Sequence, residues 1–206
     1  MAFLHTITEM VYRTPSDAAP CLQAFLAILH NPHPTLISAF NFSEPGMLDQ
    51  IDIADAAGVP GWIFADHSQF CTPSEKNLVA ARAAKWRNWE ITVGTVEYGP
   101  KPGEINHRKN MVVLAPDGSW TVWRGSLNFS TLAYTENNEA SVVVSNIYGI
   151  DFATLFVKQR ALARQHQPQY QVAQPLLVPR DIVTTFGLVI PAPVPALAEL
   201  STLASP

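Results

Sequence analysis

The stretch from Asn106 to Ser145, NHRKNMVVLAPDGSWTVWRGSLNFSTLAYTENNEASVVVS, gathers the residue types that could grip and attack a tetrahedral anion. His107, Arg108 and Lys109 enter one apolar run, Gly125-Ser126-Leu127-Asn128 leaves the next, and Glu139 enters a third. In an extended strand residues i and i+2 share a face, so His107 and Lys109 project together and Arg108 points away. An imidazole and an ammonium are thereby set side by side. Gly125 would let the backbone approach a ligand closely, while Ser126 and Asn128, again at i and i+2, add side-chain donors.

These residues need a sheet to bring them to one end. Met111 to Ala115 and Trp120 to Arg124 flank Pro116-Asp117-Gly118, which predicts an antiparallel hairpin that returns the chain to its starting edge. Ala140 to Ser145 predicts a further strand. Upstream, the apolar spacing of Leu22, Phe25, Leu26 and Leu29 predicts a helix from Asp17 to His30. LISAFNF, a helix opened by Pro45 and closed by Gly58, and VPGWIFA then predict strand, helix and strand in a parallel, right-handed crossover. A helix from Ser74 to Trp86, a strand from Trp89 to Val96, and a later helix through Phe152, Leu155, Phe156, Gln159 and Leu162 complete the pattern. The fold class is α/β, with a mixed sheet of about six or seven strands and helices on both faces.

The HxK of His107 and Lys109 together with the GSxN of Gly125 to Asn128 resembles the phospholipase D superfamily of phosphodiesterases, and the likeness extends from Leu36 to Arg164. LISAFNF, its helix and AAGVPGWIFADHSQF look like the family's strand, helix and strand ending in an Asp, and Glu139 stands where the family has a carboxylate contacting the catalytic His. The resemblance implies His107 as the nucleophile of a phosphohistidine intermediate, with the equivalent His of a second motif protonating the leaving oxygen. It implies Lys109, Asn128 and Ser126 as stabilisers of phosphoryl charge. No metal or other cofactor is required by such chemistry. The family pattern also has an Asp five residues after the Lys; this chain has Leu114 there, and Asp117 lies in the hairpin turn instead.

One motif in a chain without internal repeats predicts a two-fold homodimer that pairs two copies of His107. Residues 1–167 read as the catalytic domain and 168–206 as a Pro-rich arm or tail. The compact single-motif relatives point to a metal-independent nuclease acting on nucleic acid. A phospholipase D or transphosphatidylase is the alternative, and so is a catalytically weakened interaction module; a third reading makes the chain half of a two-motif protein.

Charge bears on the substrate. The 206 residues carry a net −4, but Lys76 to Arg124 holds eight Lys or Arg against four Asp or Glu, which leaves −8 for the remainder. The basic stretch reads either as solvated helix faces or as phosphate-backbone contacts, and its nearness to the motif favours the second. Asp66 and His67 end a strand where open α/β sheets place ligands, so they either line the pocket or cap a turn. Arg108 is a further candidate for substrate contact. Trp86, Trp89, Trp120 and Trp123 read as core or interface before base-stacking surface, and Trp62 as core. His5, His30, His33 and His166 lack partners at metal-ligand spacing, and Cys21 and Cys71 form neither a CxxC pair nor a disulfide framework. No apolar run reaches membrane-spanning length and the first residues do not form a signal peptide, so the expected location is cytoplasmic without stable membrane insertion.

Overall fold

The computed structural model describes residues 9–30, 33–70, 73–95, 107–137, 139–145, 149–175 and 181–189. His5, Cys71, Val96 and most of the Pro-rich tail lie outside them. A seven-stranded mixed sheet forms the middle layer, in the order β1-β7-β6-β5-β2-β3-β4. The strands are β1 (Glu9–Arg13), β2 (Thr35–Ala39), β3 (Gly61–Asp66), β4 (Trp89–Gly94), β5 (Lys109–Leu114), β6 (Trp120–Gly125) and β7 (Ala140–Ser145). The helices are α1 (Ala18–His30), α2 (Pro45–Ala56), α3 (His67–Phe70), α4 (Pro73–Ala83), α5 (Thr131–Thr135), α6 (Gly149–His166) and α7 (Ile182–Thr185).

The expected crossover is present: β2, β3 and β4 are parallel neighbours, and β5 joins β2 antiparallel. Every residue of β2, β3 and β4 is buried, which is why TLISA and GWIFAD read as continuous apolar runs rather than alternating ones. Between them α2 starts where the Glu44 carboxylate accepts the Met47 N–H at 2.7 Å and Pro45 supplies a preset φ. It ends at Gly58, whose φ of 77° is left-handed.

Helices cover both faces. On one, Phe25 of α1, Ile51 of α2 and Val79 of α4 pack over Ile37, Ile63, Ile91, Met111 and Trp123. On the other, Phe156 and Ala163 of α6 and Ile182 of α7 pack over Leu36, Trp62, Phe64, Val112 and Val122. The tryptophans belong to these layers. Trp86, Trp89 and Trp123 are at most 1% exposed and Trp62 is buried, so none of them can stack on a base. Trp120 is half-buried against Phe186, ring centroids 5.6 Å apart.

β1 has no counterpart in the sequence reading. It pairs with β7 at the sheet margin and its five residues are exposed or half-exposed, so EMVYR lacks the apolar pattern that announces a strand. At the opposite margin, glutamines run beside β4. Gln174 and Gln171 accept the N–H groups of Ile91 and Val93 at 3.0 and 3.2 Å, and Gln167 accepts that of Thr95 at 3.0 Å. Gln171 also donates to the Val93 carbonyl at 2.7 Å.

β4 is tied to α6 by a buried carboxylate. Arg160 grips Glu90 with two hydrogen bonds of 2.7 and 2.6 Å, and Arg164 adds a third at 2.8 Å. Burial alone would raise the Glu90 pKa, but the guanidiniums overcome it and hold the group below its ordinary 4.5. A depressed carboxylate pKa contributes stability that is present above the unfolded value and lost as pH falls through the folded one. Glu90→Gln is expected to cost about 2–3 kcal/mol at neutral pH, somewhat less than a fully buried pair because the arginines keep contact with water. Urea unfolding at pH 7 and pH 3 checks this: the gap between wild type and variant should close in acid.

None of the described helices is long and apolar enough to cross a membrane.

Candidate active site

The C-terminal ends of β2, β3 and β6 and the N-terminal ends of β5 and β7 meet at one edge of the sheet, as their pairing requires. Residues widely separated in sequence are delivered there. Lys109 is the first residue of β5, opposite Ala39, and His107 lies two positions before it.

His107 is exposed while Lys109 is only 3% exposed. Phe40, which follows β2, explains the contrast. Its ring lies 4.8 Å from the His107 imidazole and 5.1 Å below the Lys109 ammonium, forming an apolar seat for both. Lys109 Nζ donates to the His107 carbonyl at 2.7 Å, so the two residues brace one another. Burial lowers the Lys109 pKa from 10.5, while the carboxylates of Glu139 and Asp66 act in the opposite sense. Phe40 was not a sequence candidate. An aromatic residue ending an apolar run carries no signal beyond core.

The GSLNF segment alternates as a strand does even where regular pairing stops. Leu127 and Phe129 are fully buried, which turns Ser126 and Asn128 the other way. The segment is held by the chain after β2: Phe129 accepts the N–H groups of Ser43 and Glu44 at 2.8 and 3.0 Å and donates to the Asn41 carbonyl at 3.2 Å. Among the described residues Asn128 Oδ1 is buried without a hydrogen-bond partner. A half-turn of that amide would place an N–H in the same spot.

Ser126 is otherwise engaged. Its hydroxyl accepts the Ala140 N–H at 3.1 Å and faces the Ala140 carbonyl at 3.4 Å, clamping the start of β7 next to Glu139. Gly125 closes β6 opposite Ser141 and is exposed. Asp66 is fully buried, and its Oδ1 accepts both the N–H and the hydroxyl of Ser68 at 2.8 and 2.5 Å; it caps α3 and also reaches Lys109 electrostatically. His67 opens α3 with its ring stacked on Tyr170, centroids 3.5 Å apart. Arg108 does not converge with the others. Its carbonyl accepts the Phe40 N–H at 2.9 Å, and its side chain lines a small cavity with Ser38, Asn110 and Gln159 on the α6 face.

Several cations of the basic stretch stand away from the site: Arg82 is committed to Asp49 and Asp52 at 2.7 and 2.5 Å, Lys85 and Arg87 precede β4 at the opposite sheet edge, and Arg124 faces the α6 side opposite Asn110; Lys101 lies outside the described residues. A run of like charges along the chain is dispersed once the chain reverses. Leu114 ends β5 opposite Trp120, roughly 16 Å from Lys109 at the rise of a strand. A carboxylate there would be too remote to touch phosphate, so Leu114 removes nothing from this edge.

Among the described residues no group of His, Cys, Asp and Glu could hold a metal ion. Cys21 is buried in the α1 core, its thiol pushed up to about 12 by burial.

No family model matches the sequence, and no curated protein is matched by sequence comparison. Solved structures are similar. NucT from Helicobacter pylori superposes with a TM-score of 0.65 at 15% identity, covering 76% of this chain and 97% of its own. Nuc from Salmonella typhimurium, a phospholipase D family member, gives 0.62 at 21% identity over 76% of this chain and 95% of its own. Phosphatidylserine synthase from Haemophilus influenzae gives 0.50 at 13% identity over 79% of this chain and 40% of its own. The fold of this chain is thus shared along nearly the full length of two of these proteins, one of them a phospholipase D family member, and the chain has a phospholipase D-like fold.

Proposed function

We propose that this protein is a phosphodiesterase acting through a phosphohistidine intermediate, and specifically a metal-independent nuclease whose active site is completed by a second copy of the chain. The observation that carries the reading is the exposed His107 imidazole beside the buried Lys109 ammonium, with Asn128, Asp66 and Glu139 at the same sheet edge. The likeness to a phospholipase D family member over 95% of that protein's length supports it.

In the first half-reaction a His107 ring nitrogen attacks phosphorus; the N–P bond forms as the P–O bond to the leaving alcohol breaks. The leaving oxygen takes a proton from the His107 of the second copy. In the second half-reaction that histidine removes a proton from water, the water oxygen bonds to phosphorus, and the P–N bond breaks to restore His107. Lys109 and Asn128 offset charge on the non-bridging oxygens, which grows in each transition state. Bound phosphate favours the ammonium form of Lys109 that burial disfavours.

Cleavage of bis(p-nitrophenyl) phosphate and of DNA in excess EDTA, with solution mass measured on the same sample, tests this. The expected outcome is turnover by a dimer. Turnover by a strict monomer contradicts the shared site, and turnover that needs added divalent metal contradicts the metal-free chemistry.

A further inference from the structure

A cavity of about 580 Å³ lies along β4, between α4 and the chain that follows α6. His67, Phe70, Ala80, Ala84, Val93 and Tyr170 line it. His67 directly follows Asp66, so one end of the cavity adjoins the sheet edge of the active site. Ala80 and Ala84 are spaced i, i+4 along the α4 direction, which puts two small side chains on one wall and leaves room for a flat group. The stacked pair of His67 and Tyr170 contributes ring surface. Gln171 spends its amide on the β4 backbone, so the walls are mainly apolar, and the exposed Gln169 remains at the rim.

We propose that this cavity receives an unpaired base of a single-stranded nucleic acid whose scissile phosphate lies at His107 and Lys109. The proposal rests on the nuclease reading and extends it to the substrate's form. Three inter-strand steps separate β5 from β4, about 14 Å, so a small diester cannot occupy both places and an oligonucleotide can. A base held within a duplex is stacked and paired and cannot enter, whereas a base in a single strand turns out freely. Ring surface beside small apolar walls with an amide at the rim fits a heteroaromatic ring with a polar edge. An acyl chain would bury the amide at the rim without hydrogen-bonding it.

Binding of a fluorescein-labelled oligothymidylate hexamer in EDTA, read by anisotropy on the full chain carrying His107→Ala, tests the proposal without requiring turnover. The hexamer should bind more tightly than a blunt duplex of equal length. In the same background Tyr170→Ala should weaken hexamer binding by at least about tenfold. Ala80→Met, which fills the cavity without removing the ring pair, should do the same while the thermal midpoint holds. Hexamer affinity unchanged in Ala80→Met, no hexamer binding by the parent, or displacement of the hexamer by phosphatidylcholine vesicles would overturn it. The two readings fail separately. Wild type that binds the hexamer through the cavity but cleaves nothing sinks the catalytic reading alone, and wild type that cleaves DNA while Ala80→Met binds normally sinks the cavity alone.

Discussion

Replacing His107 by alanine should lower phosphodiester turnover by at least about 10⁴-fold, because removal of a covalent nucleophile leaves only charge stabilisation and binding to act on the substrate. The loss should fall on kcat. His107 is exposed at the end of the sheet, and among the described residues its ring packs on Phe40 at the edge of the core, so the variant should keep its thermal midpoint within a few degrees. Initial rates on bis(p-nitrophenyl) phosphate, together with a melting curve of the same sample, provide the check. A folded variant that retains a tenth of the wild-type rate would show that the imidazole is not the attacking group.

Lys109→Met should separate activity from stability. Loss of a charge that neutralises phosphoryl oxygens is expected to lower kcat by about 10²–10³-fold. Stability should move the other way. Burial holds the folded-state pKa of Lys109 below the ordinary 10.5 despite Glu139 and Asp66, so at neutral pH the folded chain binds this proton less firmly than the unfolded one. The sign follows directly: this group's contribution becomes more favourable as pH climbs from the folded value towards 10.5. A methionine of similar length is free of that cost, and its thermal midpoint should rise by a few degrees near pH 7, with a smaller advantage near pH 10. Melting at both pH values decides the matter, since a variant less stable than wild type at pH 7 would mean that the carboxylates outweigh burial.

Much of this site was legible because strand geometry is short-ranged. The i and i+2 spacing of His107 with Lys109, and of Ser126 with Asn128, needs only a period of two, and Asp117-Gly118 announces the turn that brings both pairs to one edge. What the spacing could not reveal depends on neighbours across the sheet. Phe40 gains its role from standing beside His107, although 67 positions separate them in the chain. The same geometry defeats counting along the chain. Leu114, five positions from Lys109, is near in sequence and far in space, while Arg82 and Lys109 share a basic stretch without sharing a surface. Tyr170 falls at the start of the stretch that reads as a Pro-rich arm, where nothing in the sequence marks it for a site. Only the course of that stretch past His67 makes it a ring surface.

The glutamines at 167, 171 and 174 have a consequence beyond local bonding. The outer margin of β4 is a row of amide groups of the kind that recruits strands from other molecules, and the usual deterrents are charges, prolines or a covering element. Here primary amides imitate the hydrogen bonding of an eighth strand without its backbone, so the sheet is terminated as though it were one strand wider. Strand addition to β4 is thereby blocked on that side by three side chains.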